Sequence, residues 1–584
     1  MHSVTTNMEG APTAQRLPSS LSWHRWRRDP EILVAVGLLC AAALVGLLTV
    51  DDYGLTVDEW NADSYGPKAL AWYLSGFTDR STFTDVEDTL WYYGPWFHSL
   101  ITLVQWTGIA EHWAVRHAMT FLSGLAGIAL LLPIGRLAAG RWAGLAAVTL
   151  CLTCGYLYGG IFFTPIDVPF LFAMTAATLA VMLMARERVP SWPATVAAGL
   201  LTGLAIATRS SGIIAQAYLV GAMVLCVIEV FLAEPQARGR QVARLAAHTL
   251  AAILLGWLTA FLLWPWLQIG NPFTQFYEAF AYFAKHPASW EFPHWGHTVT
   301  TNHLPWSYVP AELAARLPLV FLILLVLGLL IGLGQSVALV GAGGRALADR
   351  NWQNLKATVR AVTRARLALV VWAAVLLPMA FIMIKGSTLY NGIRHVLFLI
   401  PVIAVIAGYG LARVLPLLGR VPILAGAGIG AYLGYQVYLF AALHPLQYIE
   451  FNILAGGVHG AYQRFAMDYW SAAGNVALRR LEHRMDLDPA RGAGDNPPSL
   501  LICIQWRQSM VAPMYRRPWK LETDPAKADY IIATESDPDC AKDQPVVLID
   551  EVTRFGRAFA WTYARRPQRA AAPAAAPAAA LPRP

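Results

Sequence analysis

A chain of 584 residues that is 56% hydrophobic and only 14% charged, with a mean hydropathy of +0.45, has too little polar surface for a water-soluble globular protein. It reads as an α-helical polytopic membrane protein. The net charge of +8 fits lysine and arginine collected on one membrane face, and nucleic acid is set aside as a partner. Of the six cysteines, Cys40, Cys151, Cys154 and Cys226 lie in apolar runs and make no metal pattern. Cys503 and Cys540 sit in the polar tail, where an oxidising compartment would let them pair.

Residues 1–30 are polar and end in the basic run Trp23–Arg28. The apolar stretch 31–50 is long enough to cross a bilayer, and it lies too deep in the chain, without a cleavage site, to be a signal peptide. The basic flank places the N-terminus in the cytoplasm, so the loop 51–116 emerges outside. That loop is crowded with carboxylates (Asp51, Asp52, Asp58, Glu59, Asp63, Asp79, Asp85, Glu87, Asp88) interleaved with tryptophan and tyrosine. If 96–109 crossed the membrane, Arg136, Arg141, Arg186, Arg188 and the stretch 238–244 would all be external. Charge bias therefore makes it an outer interfacial helix.

About eleven spans follow from that choice, near 31–50, 117–135, 142–162, 168–186, 193–208, 211–232, 247–265, 317–335, 367–384, 395–412 and 422–441. A second long outer loop occupies 265–316, and basic residues between Gly341 and Arg366 support the alternation. An odd number of spans leaves the C-terminus outside. From 443 to 565 the composition is that of a small α/β domain on the outer, periplasmic side. Strands are expected at 499–506, 528–534 and 545–549, and a helix at 476–484. The alanine–proline tail, 566–584, is low-complexity and expected to be disordered.

Asp58 and Glu59 are the strongest candidates for chemistry. Adjacent carboxylates on an extended segment point different ways, so one can take a proton while the other orients a partner; a solvated acidic loop is the alternative. Asp167, between Pro165 and Pro169 in the next outer turn, suits substrate binding or helix capping. Arg209, Lys385, Arg394 and His395 put positive charge on the outer side, against the general bias. Phosphate binding explains that, with snorkelling to lipid headgroups as the alternative. His294, His297 and His303 fit no closed zinc pattern, so no metal ligand is assigned, and the tryptophans among them suit a membrane interface or stacking on a sugar or prenyl chain.

The order of these features resembles the membrane glycosyltransferases of the C-type fold. They are a long apolar run, Asp58-Glu59 in the first outer loop, Tyr92-Tyr93-Gly94-Pro95 before an interfacial helix, Asp167, and Arg394-His395 with Pro401. The likeness is nearest to the protein O-mannosyltransferase-like branch, which includes the bacterial enzyme that adds aminoarabinose to lipid A, and covers roughly 30–440. It implies a sugar donor carried on a polyprenyl phosphate, an acceptor it leaves unnamed, a bacterial inner-membrane location and direct displacement with inversion. By the resemblance Asp58 is the general base, Glu59 and Asp167 position acceptor or base, and the outer cations hold the lipid phosphate. Tyr93 and Tyr390 are counted among the substrate-binding residues. No cofactor is implied, a divalent cation being the alternative. The chain departs from the family's frequent paired prolines at Gly94-Pro95, and its C-terminal module differs from that of many relatives. A lipid or solute transporter is the rival class, since many spans and buried charges suit one too.

Overall fold

The computed structural model describes residues 29–84, 87–233, 238–286, 289–487, 497–504 and 518–566. The basic run Trp23–Arg28, Asp85, Trp506 and the alanine–proline tail from 567 onward lie outside them. Among the described residues, nine helices are long and apolar enough to cross a membrane, and two shorter apolar helices, Arg141–Leu152 and Trp192–Thr208, accompany them.

The helices used below are α1 (Pro30–Leu48), α2 (Val57–Asp63), α3 (Trp96–Gln105), α4 (His112–Ala129), α5 (Asp167–Arg186), α6 (Trp192–Thr208), α7 (Ile214–Leu232), α8 (Arg238–Leu263), α9 (Pro272–Ala284), α10 (Leu319–Ala348), α11 (Arg366–Lys385), α12 (Leu399–Leu418), α13 (Pro422–Leu443) and α14 (Ala472–Leu487). On α1, α10 and α13 large apolar side chains such as Leu33, Leu48, Leu330, Ile423 and Val437 are exposed, as lipid-facing surfaces require. The most enclosed span is α5, with 83% of its apolar window buried. Helices α6 and α8 meet backbone to backbone: a Cβ on Gly203 would lie 2.4 Å from the Gly256 carbonyl oxygen.

One expected span differs, and the segment read as non-crossing is short. The span at 142–162 breaks into Arg141–Leu152 and Gly155–Gly160, because the buried Glu450 carboxylate accepts the Gly155 N–H (2.5 Å) where the second piece starts. At 96–109 the chain forms α3, ten residues and so about 15 Å long, too short to span.

Charge sorts along the bundle. At one end Arg136 pairs with Asp29 (2.9 Å) and Glu31 (3.1 Å), and Arg366 pairs with Glu229 (2.9 Å) and donates to the Arg186 carbonyl (2.8 Å). At the other end the acidic aromatic loop docks through indole N–H groups. Trp72 donates to Gln268 (2.8 Å), Trp96 to Thr208 Oγ1 (2.8 Å) and the buried Trp264 to the Trp91 carbonyl (2.9 Å).

Beyond α13 the chain forms a sheet in the order β4-β3-β5-β7-β6, with β3 (Ser499–Cys503), β4 (Lys520–Leu521), β5 (Tyr530–Thr534), β6 (Val546–Arg554) and β7 (Arg557–Arg565). β3 runs parallel to β4 and β5; β7 is antiparallel to β5 and β6. Phe555 and Gly556, both with positive φ, make the two-residue β6–β7 turn. Helix α14 packs on this sheet, and a disulfide joins Cys503 to Cys540 (Cα–Cα 6.3 Å). A second hairpin, β1 (Glu291–His294) with β2 (His297–Thr300), stands in the outer loop where no strand was expected.

Candidate active site

Asp58 reaches its position through a capping box. Thr56 precedes α2, its hydroxyl accepts the Glu59 N–H, and the Glu59 carboxylate accepts in return from the Thr56 N–H (3.1 Å) and hydroxyl (3.0 Å). The segment is therefore the first turn of a helix and not an extended strand. Successive side chains leave it about 100° apart. Glu59 turns inward, fully buried, to His117 on α4 (2.9 Å), and does not line the cavity. Asp58, partly open, turns the other way and pairs with Arg394. Of the two adjacent carboxylates expected to share the chemistry, only Asp58 faces it.

A second pair stands in the same cavity. Asp167 opens α5 and, instead of capping it, binds Arg209, which follows the last residue of α6. The two pairs share aromatic shelves. Arg209 lies over the Tyr93 ring (5.4 Å) and Arg394 over Tyr390 (4.9 Å), with the Tyr390 and His395 rings 4.4 Å apart. Gly94 sets Tyr93 there: a Cβ on it would lie 1.4 Å from the Ala207 carbonyl oxygen, so the chain abuts the backbone just before Arg209. The departure from paired prolines thus has a steric reason.

Burial pulls the Arg394 guanidinium down, but Asp58, Tyr390 and Asp167 more than offset it, so the group stays protonated. Burial pushes the Tyr93 and Tyr390 phenols up despite the nearby arginines. Burial, then Arg394, Arg209 and His286, holds the His395 imidazole well below its usual range, so it is neutral at pH 7.

The cavity measures about 980 Å³, and Asp58, Tyr93, Asp167, Arg209, Tyr390, Arg394 and His395 all line it. Tyr93, Arg209, Tyr390 and His395 also line an adjoining groove of about 110 Å³, whose other walls include Ile214, Phe280, Pro378, Phe381, Ile382 and Phe398. Lys385 is left out. Gly386, in the left-handed region (φ 58°), ends α11 and turns 387–390 into the groove, while Lys385 stays exposed outside.

The wall facing the arginines comes from the segment after the last span and from the sheet: Gln463, Asp468, Tyr469, Ser471 and Glu535. Asp468-Tyr469-Trp470 had an acidic, aromatic signature; Glu535, a single carboxylate after a strand, had none. The histidines of the outer loop do not converge: His294 binds Glu312 (2.8 Å), while His297 and His303 are exposed. Among the described residues, the one His/Cys/Asp/Glu group close enough for a metal ion is Cys503, Asp537 and Cys540, and both its thiols are in the disulfide.

Fold and site together define a polytopic helical membrane protein with a charged cavity at the end of its bundle, roofed by a small sheet domain. No protein-family model and no curated protein matches the chain. Among solved structures it overlays on ArnT from Cupriavidus metallidurans in the apo state (TM-score 0.43, 18% identity, 91% of this chain and 99% of that one). It overlays on the same protein bound to undecaprenyl phosphate with TM-score 0.42, 17% identity and the same coverage. The archaeal oligosaccharyltransferase AglB from Archaeoglobus fulgidus, in complex with an inhibitory peptide and a dolichol-phosphate, gives TM-score 0.40, 13% identity and coverage of 88% and 73%.

Proposed function

We propose that this protein is an integral-membrane glycosyltransferase that moves a sugar from a polyprenyl-phosphate carrier to an acceptor hydroxyl. The observation that carries this is the pairing of Asp58 with Arg394 and Asp167 with Arg209 in one cavity that continues into an apolar groove. The groove suits a prenyl chain and the two guanidiniums suit its phosphate. Arg394 engages the Asp58 carboxylate. A donor phosphate that takes over Arg394 leaves Asp58 open to an acceptor hydroxyl, so donor binding arms the base.

Asp58 then accepts the hydroxyl proton and the acceptor oxygen bonds to the anomeric carbon from the face opposite the phosphate. The carbon–oxygen bond to the phosphate breaks, its electron pair remaining on the lipid phosphate beside the arginines. The configuration inverts. With the basic end of the bundle in the cytoplasm, the cavity and sheet domain lie on the outer, periplasmic face of the inner membrane. A transporter would gather its polar groups near mid-membrane on broken helices, whereas these stand at the ends of α5 and α6 and before α12.

The test is release of lipid phosphate from polyprenyl-phosphate sugars by the purified protein and by Asp58→Asn. Turnover by the wild type, lowered about 10²- to 10⁴-fold in the variant, is expected. Equal turnover by both would remove Asp58 from the role of base, and none by either across a broad donor panel would favour the transporter.

A further inference from the structure

The wall opposite the arginines comes from parts of the chain that the catalytic reading leaves unused. Glu535 follows β5 and is fixed at both ends. Its N–H donates to the Phe559 carbonyl on β7 (3.0 Å), and its Oε2 accepts the Asp468 N–H (2.9 Å). Its Oε1 has no protein partner among the described residues, and the side chain lines the cavity. Asp468 itself is spent on structure: it accepts the Tyr448 hydroxyl and the Ala472 (2.9 Å) and Ala473 (3.0 Å) N–H groups that start α14.

The same wall stores backbone strain. Gln463 and Ser471 are non-glycine residues in the left-handed region (φ 61° and 55°), and Asn391, across the cavity, is a third (φ 58°). Such conformations cost free energy and persist where the surroundings enforce them, as they do at binding sites. The chain between Gln463 and Ser471 is held from outside. The buried Arg316, bound to Glu312 (2.7 Å), donates to the Ala466 carbonyl (2.9 Å), and Gly296 of the β1–β2 turn donates to the Arg464 carbonyl (3.0 Å). The rings of Tyr469 and Trp470 complete the surface, their centroids 4.5 Å apart.

We propose that Glu535, supported by Gln463, is a specificity-determining residue that reads the hydroxyls of the sugar carried by the donor, with Tyr469 and Trp470 as an apolar shelf for the ring. This rests on the function proposed above. With the chain in the groove and the phosphate at Arg209 and Arg394, the group on the far side of the phosphate extends into the cavity that this wall lines. A carboxyl, a carboxamide and aromatic faces, with no cation among them, match a neutral polyhydroxyl ring. Burial, aided by the Asp468 charge and opposed by the Asp468 N–H, pushes the Glu535 carboxyl up to about 8, so at pH 7 it can both donate to and accept from a hydroxyl.

The experiment compares the full-length protein in lipid nanodiscs with Glu535→Ala, Glu535→Gln and Gln463→Ala. The probes are bare undecaprenyl phosphate and undecaprenyl phosphates carrying mannose, glucose, N-acetylglucosamine or arabinose, and dissociation constants are measured for each. The expected result is a wild-type preference for at least one glycosylated carrier over the bare one. Glu535→Ala cuts that preference about 10- to 100-fold and Glu535→Gln cuts it less. Affinity for the bare carrier stays unchanged in both, which also shows the variants to be folded. An unchanged preference in Glu535→Ala, or no preference in the wild type, overturns the assignment while leaving the carrier site standing. Failure of the wild type to bind any carrier, bare or glycosylated, defeats the functional reading beneath it.

Discussion

At the scale of single residues the site depends on who holds whom. Arg394→Gln is expected to weaken undecaprenyl-phosphate binding about 10- to 100-fold, and Arg394→Lys to recover only part of it, because an ammonium replaces a planar fork with a point charge. Equal affinity in all three proteins would place the phosphate elsewhere. Gly94→Ala adds a methyl where the Ala207 carbonyl already stands. A loss of about 1–3 kcal/mol, read as a lower unfolding temperature together with reduced carrier binding, is expected. Asp58, Asp167, Arg209 and Arg394 were legible as residues because charge on an apolar chain is conspicuous. The split between Asp58 and Glu59 was missed, although the chain carries a signal for it: Thr56 stands three residues before Glu59, the spacing of a capping box, which assigns Glu59 to the helix start. Glu535 was not legible, because its neighbours across the cavity are distant in sequence.

Among the elements, the sheet domain governs how firmly the far wall is held. The disulfide anchors the segment 535–540 to the end of β3. Replacing both Cys503 and Cys540 by serine is expected to cost the domain about 2–4 kcal/mol and to reduce discrimination between glycosylated carriers more than affinity for the bare one. Unchanged discrimination would separate the clamp from the wall. The acids impose a pH dependence. Burial raises Asp468 to about 7, and burial with the Asp468 charge raises Glu535 to about 8. In each case the folded protein binds a proton that the unfolded chain has released, so this contribution is complete below the unfolded values near 4. It is lost as pH climbs through the folded values. Unfolding temperature should therefore fall between pH 6 and 9, with a shallower slope in Glu535→Gln; a rise over that range would contradict the assignment. Sequence pattern located β3 and β5, since both are short and mostly apolar, but stopped β6 at Ile549 and missed β7. That strand alternates weakly, and its partners lie on either side of it in a mixed sheet. The β1–β2 hairpin escaped notice because its residues read as interfacial aromatics.

For the whole molecule, the distribution of arginine was the readable feature, and it drew the loops of Arg136, Arg186, Arg188 and Arg366 to one end while leaving the cavity at the other. Apolar length was less informative: it counted Arg141–Leu152 and the piece after it as one crossing, since a break filled by a distant glutamate leaves no local trace. Cysteines introduced at Lys385 and Asp349, near opposite ends of the bundle, should separate in intact cells. A membrane-impermeant maleimide labels the first and not the second; the reverse would invert the topology. On the proposed function two guanidiniums neutralise charge on the phosphate, so chelation with EDTA should leave release of lipid phosphate within about twofold, and a collapse would demand a metal. The mutual cancellation of Asp58 with Arg394 and Asp167 with Arg209 has one more effect. An unoccupied cavity exerts little long-range pull on dissolved anions, so orthophosphate and nucleotides passing in the surrounding water meet guanidiniums that are already engaged. A headgroup tethered by its tail in the adjoining groove competes at an effective concentration no freely diffusing ion attains, and anchoring thus serves as the filter against soluble competitors.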